Sequence, residues 1–157
     1  MEKQLSETSP KSFIKTNTII HLALVAGVLI FLIVVFNLKS KDEKVFDPSN
    51  LFFIIHLGLT IGTIIIGHLI TTMNLKRIQK SDSLESKLVN VQTANITKWA
   101  LIEGPCLFGG VIFLNEMGNI LSLGVSILGA AYLYSTKPTK AKIIEQGQLT
   151  YEEEKLI

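Results

Sequence analysis

The chain has 157 residues and a formal net charge of +2, from 15 Lys and Arg against 13 Asp and Glu, and 48% of its residues are apolar. That length allows one domain. The single cysteine, Cys106, excludes an intramolecular disulfide, and basic residues without aromatic interleaving give no surface for nucleic acid.

The apolar residues fall in blocks instead of alternating with polar ones, which is a membrane pattern. Residues 1–15, rich in Ser, Thr and Lys, read as a disordered lead. The first block predicts a helix over about 17–38. It exceeds the ~7–15 apolar residues of a signal-peptide core and lacks a small-residue exit, so it is read as a retained helix. A polar connection, Lys39 to Ser49, closes with Asp47-Pro48-Ser49, a favourable entry to a second helix over 51–75.

The second connection carries helical signals of its own. Asp82 followed by Glu85 fits an N-cap with an acidic residue three positions on, and Leu84, Leu88 and Val91 repeat at helical spacing. Helix three is therefore predicted to begin near Ser83 and run to Leu114, with its apolar part over 94–114. Helix two is predicted to extend inward through Lys76-Arg77-Ile78-Gln79, leaving a tip at Lys80 to Asp82. The short connection Asn115 to Gly118 makes helices three and four, the latter over 119–135, antiparallel neighbours. Residues 137–157 read as a polar tail whose Glu152-Glu153-Glu154 run is solvated.

Each block approaches the ~20 residues that a helix needs to cross ~30 Å of hydrocarbon. The fold class is thus all-α: a polytopic membrane protein of four transmembrane helices in an antiparallel bundle spanning 16–136. Twelve of the 15 basic residues lie before helix one, between helices two and three, or after helix four, against three in the first connection and none in the third. By the positive-inside rule both termini face the cytoplasm, across the inner (plasma) membrane.

Glu103 is the residue most in need of explanation. It sits about nine residues into the third apolar run, ~14 Å from its inner end and so close to the bilayer midplane. A charged side chain there costs roughly 2.5–3.5 kcal/mol, so such residues face protein or water and are functional candidates by default. Pro105 follows closely and, lacking an N–H, frees the carbonyl of Leu101 within a turn of the carboxyl. That acceptor needs another donor, which makes either a local polar pocket or a plain kink. His68, on helix two, falls within a turn or so of the same level and is a candidate partner for Glu103. His21 and His56 lie nearer the two surfaces and read as interfacial, and three histidines at three depths do not make a metal site.

Small residues mark close helix packing. Gly58, Gly62 and Gly67 space helix two; Ala100, Gly104, Gly109 and Gly110 space helix three; Ser122, Ser126 and Ala130 form a stripe on helix four. Cys106 reads as a small packing residue. The sequence has no Gly-rich nucleotide loop, no Cys or His pair at metal spacing and no nucleophile with an evident base. No cofactor and no catalytic residue are expected.

Helices two and three together, with Gly58, Gly62 and Gly67 on one and Ala100-Leu-Ile-Glu103-Gly…Phe108-Gly109 on the other, resemble the hairpin of the rotor-ring proteolipid, subunit c, of F-type and V-type ATP synthases. The resemblance covers residues 51–114. It implies that Glu103 is a carboxylate binding a transported proton or sodium ion, that Gly58 and Gly62 pack at an inner face, and that copies assemble into an oligomer. The alternative is a non-transporting structural or assembly subunit of a membrane complex, in which Glu103 bonds a neighbouring helix.

Overall fold

The computed structural model describes residues 10–39, 45–115 and 119–157, and among these every regular element is helical. The helices are α1 (Pro10–Leu38), α2 (Leu51–Leu75), α3 (Leu84–Asn115), α4 (Ile120–Ser135), α5 (Lys140–Gly147) and α6 (Tyr151–Glu154). The all-α bundle expected from the apolar blocks is what forms. The sequence readings that concern residues 1–9, 40–44 and 116–118 lie outside the described residues.

Three of the helices, α1, α2 and α3, are long and apolar enough to cross a membrane. At 16 residues α4 is ~24 Å long and reaches that length only together with α5, from which it is bent by 77°. By helix length and hydropathy the chain is a small multi-pass membrane protein, and its bundle is solvated by lipid.

In the bundle, α3 is central and packs against α1, α2 and α4. Its side chains Trp99, Ile102, Cys106 and Phe113 meet Val25, Val28, Leu32 and Val35 of α1 and Leu123, Ala130 and Leu133 of α4 in one apolar core. Both ends of the bundle are tied by polar caps. At one end Asn119 caps α4 and donates from Nδ2 to the Asp47 carbonyl at 2.9 Å, while the Ile120 N–H bonds the Val45 carbonyl. Asn50 caps α2 through the Phe53 N–H, and Asp47 accepts from both the N–H and the hydroxyl of Ser49.

The opposite, lysine-rich end departs from the sequence reading in three ways. First, α1 is already helical at Pro10, where the described residues start, and Phe13 is buried, so the helix reaches well ahead of Asn17. Second, α2 stops at Leu75 instead of extending to Gln79. The chain turns tightly there because Asp82 accepts the Gln79 N–H, and the cap of α3 falls on Ser83, whose hydroxyl accepts the Ser86 N–H. The predicted extension of α3 back to residue 84, in contrast, is present.

Third, the segment read as a solvated tail folds. Ile143 and Leu149 join Phe13, Ile78, Leu88 and Val91 in a second apolar cluster, which brings the start of α1 and the C-terminal segment to the same end of the molecule. Thr150 and Glu153 form a reciprocal capping box on α6. From that turn Glu153 grips the fully buried ammonium of Lys87 with both carboxylate oxygens at 3.0 Å. Asn95 and Gln146 add a reciprocal amide pair at 3.1 and 3.4 Å.

Candidate functional site

The apolar part of α3 orders the polar groups of the bundle by depth. Trp99 and Gly110, which flank Glu103 on one side of the helix, are buried against α1: Trp99 against His21, Gly110 against Phe31 and Leu32. Glu103 lies beside them at the rim of this contact, half-buried, with Ala100 and Gly104 exposed next to it. Among the described residues its carboxyl makes no hydrogen bond to a neighbouring helix and no ion pair.

The helix runs unbroken through Pro105, which is buried. The adjacent helix brings a polar contact there, to the Pro105 carbonyl. His56 of α2 is fully buried and donates from Nε2 to the Pro105 carbonyl at 3.0 Å. That bond places a proton on Nε2, so Nδ1, buried and without a protein partner, is the open position of the ring. Thr60 donates to the His56 carbonyl at 2.8 Å, and Phe108 meets the imidazole edge-on at 6.2 Å.

Gly109 makes this junction possible. A Cβ at that position would collide with the His56 ring and with the Ser126 hydroxyl, so only a glycine lets α2 and α4 close on α3 at the same level. Ser126 and Ser122 are themselves fully buried, their hydroxyls without a partner among the described residues.

A second histidine is held similarly toward the lysine-rich end. His21 of α1 is fully buried, donates from Nε2 to the Leu133 carbonyl of α4 at 2.9 Å, and meets Trp99 edge-on with ring centroids 4.9 Å apart. Its Nδ1 and the Trp99 Nε1 lack partners among the described residues. Between the two histidines, Cys106 donates to the Ile102 carbonyl and packs against Gly129, where a Cβ would not fit.

Polar groups therefore recur along α3 at residues 95, 99, 103, 106 and 109, through its own side chains or those facing it, in steps of roughly 4.5–6 Å over about 21 Å. Ser122 and Asn119 continue the series on α4. Among the described residues no three His, Cys, Asp or Glu side chains converge as metal ligands.

His68 is placed apart from this series. It is exposed on the outer face of α2, its carbonyl accepts from Thr72, and no hydrogen bond or ion pair joins it to Glu103. Its neighbour Gly67 is the residue that meets α3, with Leu101 3.6 Å from where a Cβ would lie. The other small residues divide as well. Gly109 and Gly110 pack tightly, Ser122, Ser126 and Ala130 are buried, and Gly58, Gly62 and Gly104 face open space, as exposed Ala100 does on the bundle exterior.

His21 and His56 occupy the interior, where the sequence reading put them at the interfaces. For His21 a signal was present: Phe13, Asn17, His21 and Val25 repeat every four residues, and all four are buried on one stripe of α1. The chain matches no protein-family model, and no match is found to a curated protein or to a solved structure.

Proposed function

We propose that this membrane protein handles protons, with Glu103 as the midplane carboxylate and the buried imidazoles of His56 and His21 as the polar groups on either side of it. The observation that carries the reading is the series of polar groups along α3. Apolar side chains fill such a position at no cost, whereas each imidazole or hydroxyl buried in a lipid-embedded bundle must be compensated. Their recurrence at nearly every turn favours a path over isolated packing bonds. A proton suits this set better than a sodium ion, because the groups in line with Glu103 are imidazole, indole, thiol and hydroxyl instead of a cage of oxygens. The structural alternative needs Glu103 to bond a neighbouring helix, and among the described residues of a single copy no such bond is present.

The resemblance to the rotor-ring hairpin fits the same reading and adds an oligomer. Small residues face outward on two helices, Gly58 and Gly62 on α2 and Ala100 and Gly104 on α3. If the first face of one copy packs on the second face of the next, the contact is head-to-tail, the kind that closes into rings. Glu103 then lies at the seam, and its missing partner comes from the adjacent copy. The lysine-rich end faces the cytoplasm in this arrangement.

The test is proton flux into proteoliposomes carrying an internal pH dye, paired with mass-spectrometric mapping of dicyclohexylcarbodiimide adducts. The native protein is expected to dissipate a pH gradient and to be labelled at Glu103. Glu103→Gln should lower the flux by about tenfold or more and abolish the adduct. Equal flux from native protein, variant and empty vesicles, with no adduct at Glu103, would refute the proposal.

A further inference from the structure

A cavity of about 580 Å³ opens among the ends of α2, α3, α4 and α5 at the lysine-rich end, where Asn95 and Trp99 end the series of polar groups along α3. Its volume falls within the ~300–1,000 Å³ of small-molecule sites. Three cations line it: Lys76 at the C-cap of α2, Lys98 on α3 and Lys142 on α5. Glu145 is the one acidic residue among the lining groups. Lys142 is committed, donating to the carbonyls of Ser135 and Lys137 at 3.4 and 3.2 Å and so capping the end of α4. Lys76 and Lys98 have neither an ion pair nor a hydrogen bond from their ammonium groups among the described residues.

Lys98 is the more telling of the two. It is half-buried, with its Cγ lying against α2 at Gly67, so its stem is held along apolar surface while the ammonium remains without a counter-charge. Surface lysines satisfy themselves with water, but a half-buried one beside a second lysine favours an anion. Trp99, 1% exposed, forms part of the wall, with its indole N–H sealed from the open space. The hydroxyls of Thr72, Ser135 and Thr136 are spent on helix carbonyls and leave their lone pairs free.

We infer that this cavity binds a phosphate-bearing anion through Lys98 and Lys76. Phosphate oxygens accept from two ammonium groups at once, and these two have no acceptor among the described residues. The cavity also lies where the apolar spans give way to the polar end, the level at which basic pockets between membrane helices hold anionic lipid head groups. Two sources share that chemistry: the phosphodiester of an anionic phospholipid, and a soluble phosphorylated molecule.

Native mass spectrometry of the full chain released from nanodiscs containing equal phosphatidylglycerol and phosphatidylcholine tests the lipid source. Thermal stability in a neutral detergent, with and without inorganic phosphate and with sulfate as the ionic-strength control, tests the soluble one. For a lipid, the native chain retains phosphatidylglycerol about tenfold over phosphatidylcholine, and Lys76→Gln with Lys98→Gln removes that preference. For a soluble ligand, phosphate raises the melting temperature of the native chain and not of the double variant. Lys98→Arg keeps the charge and should keep binding, which separates lost recognition from a folding defect. Lys137→Gln with Lys155→Gln, outside the cavity, removes equal charge and should change neither readout. Absence of both preferential lipid retention and a phosphate-specific shift in the native chain would overturn the inference. So would losses no larger in the cavity variant than in the control pair.

Discussion

Gly109→Ala is expected to unfold the junction of α2, α3 and α4, at a cost of about 3 kcal/mol or more. The added Cβ would collide with the His56 ring and the Ser126 hydroxyl, and His56 is a rigid ring held by its bond to the Pro105 carbonyl. Overpacking a core typically costs ~1–3 kcal/mol. Pushing the ring aside breaks the Pro105 bond and leaves a buried imidazole unsatisfied, a further ~1–3 kcal/mol. Gly104→Ala, five residues earlier on the same helix, is the internal contrast. Within one copy nothing lies within 4 Å of its Cβ position, so for the fold of the single chain the substitution should be neutral or slightly stabilising, in line with the higher helix propensity of alanine. Thermal unfolding of both variants in detergent checks the prediction. Trimming both obstacles, with His56→Ala and Ser126→Gly, should recover part of the loss in Gly109→Ala. A Gly109→Ala protein as stable as Gly104→Ala would mean that the three helices do not meet as described.

The contrast between those two glycines also marks how far the sequence could be read. Apolar blocks reveal depth, because length in residues converts to distance along a membrane normal. That was enough for the helices and for their packing as a bundle. It does not reveal azimuth where every face of a helix is apolar, since no polar side distinguishes inside from outside. Gly104 and Gly109 were therefore equivalent as sequence, and so were His56 and His68, although one of each pair is buried and the other exposed. Where polar contrast exists the sequence is more informative. Leu84, Leu88 and Val91 stand among charged residues and correctly announced the extension of α3.

The C-terminal segment was legible locally but not globally. Thr150-Tyr-Glu-Glu153 matches the capping-box pattern that the structure adopts, and it marks the start of α6. What the pattern omits is Lys87, 66 residues away, whose charge turns an acidic run into a clasp. No local signal identifies which of 15 basic residues will be buried. The segment folds because Ile143 and Leu149 have an apolar surface to cover on the first turns of α3, which Leu88 and Val91 supply.

Glu153→Gln should release that clasp. Lys87 is 0% exposed and Glu153 18%, so losing the carboxylate strands a buried ammonium. Removing one partner of a fully buried pair costs ~3–5 kcal/mol, and the partial exposure of Glu153 brings the expected cost to about 2 kcal/mol. Read as amide hydrogen exchange over α5 and α6, that is roughly a thirtyfold faster opening, with the exchange of α1 and α2 unchanged. Lys87→Met should be milder, because the carboxylate it leaves behind can turn to water and the methionine fills the buried volume. The pH dependence follows from the same contacts. The Thr150 backbone N–H, and after it the Lys87 ammonium, hold the Glu153 carboxyl below its ordinary value. A depressed carboxyl contributes stability that is complete above the ordinary glutamate range and is lost as pH falls through the lowered value. The clasp should thus hold from neutral to mildly acidic pH and open only in strong acid, whereas in Glu153→Gln the exchange of α5 and α6 should be fast and lack this acid transition. Slow exchange in the variant, or a native chain whose tail loosens already near neutral pH, would show that the apolar contacts of Ile143 and Leu149 suffice and that Lys87 is satisfied by something other than Glu153.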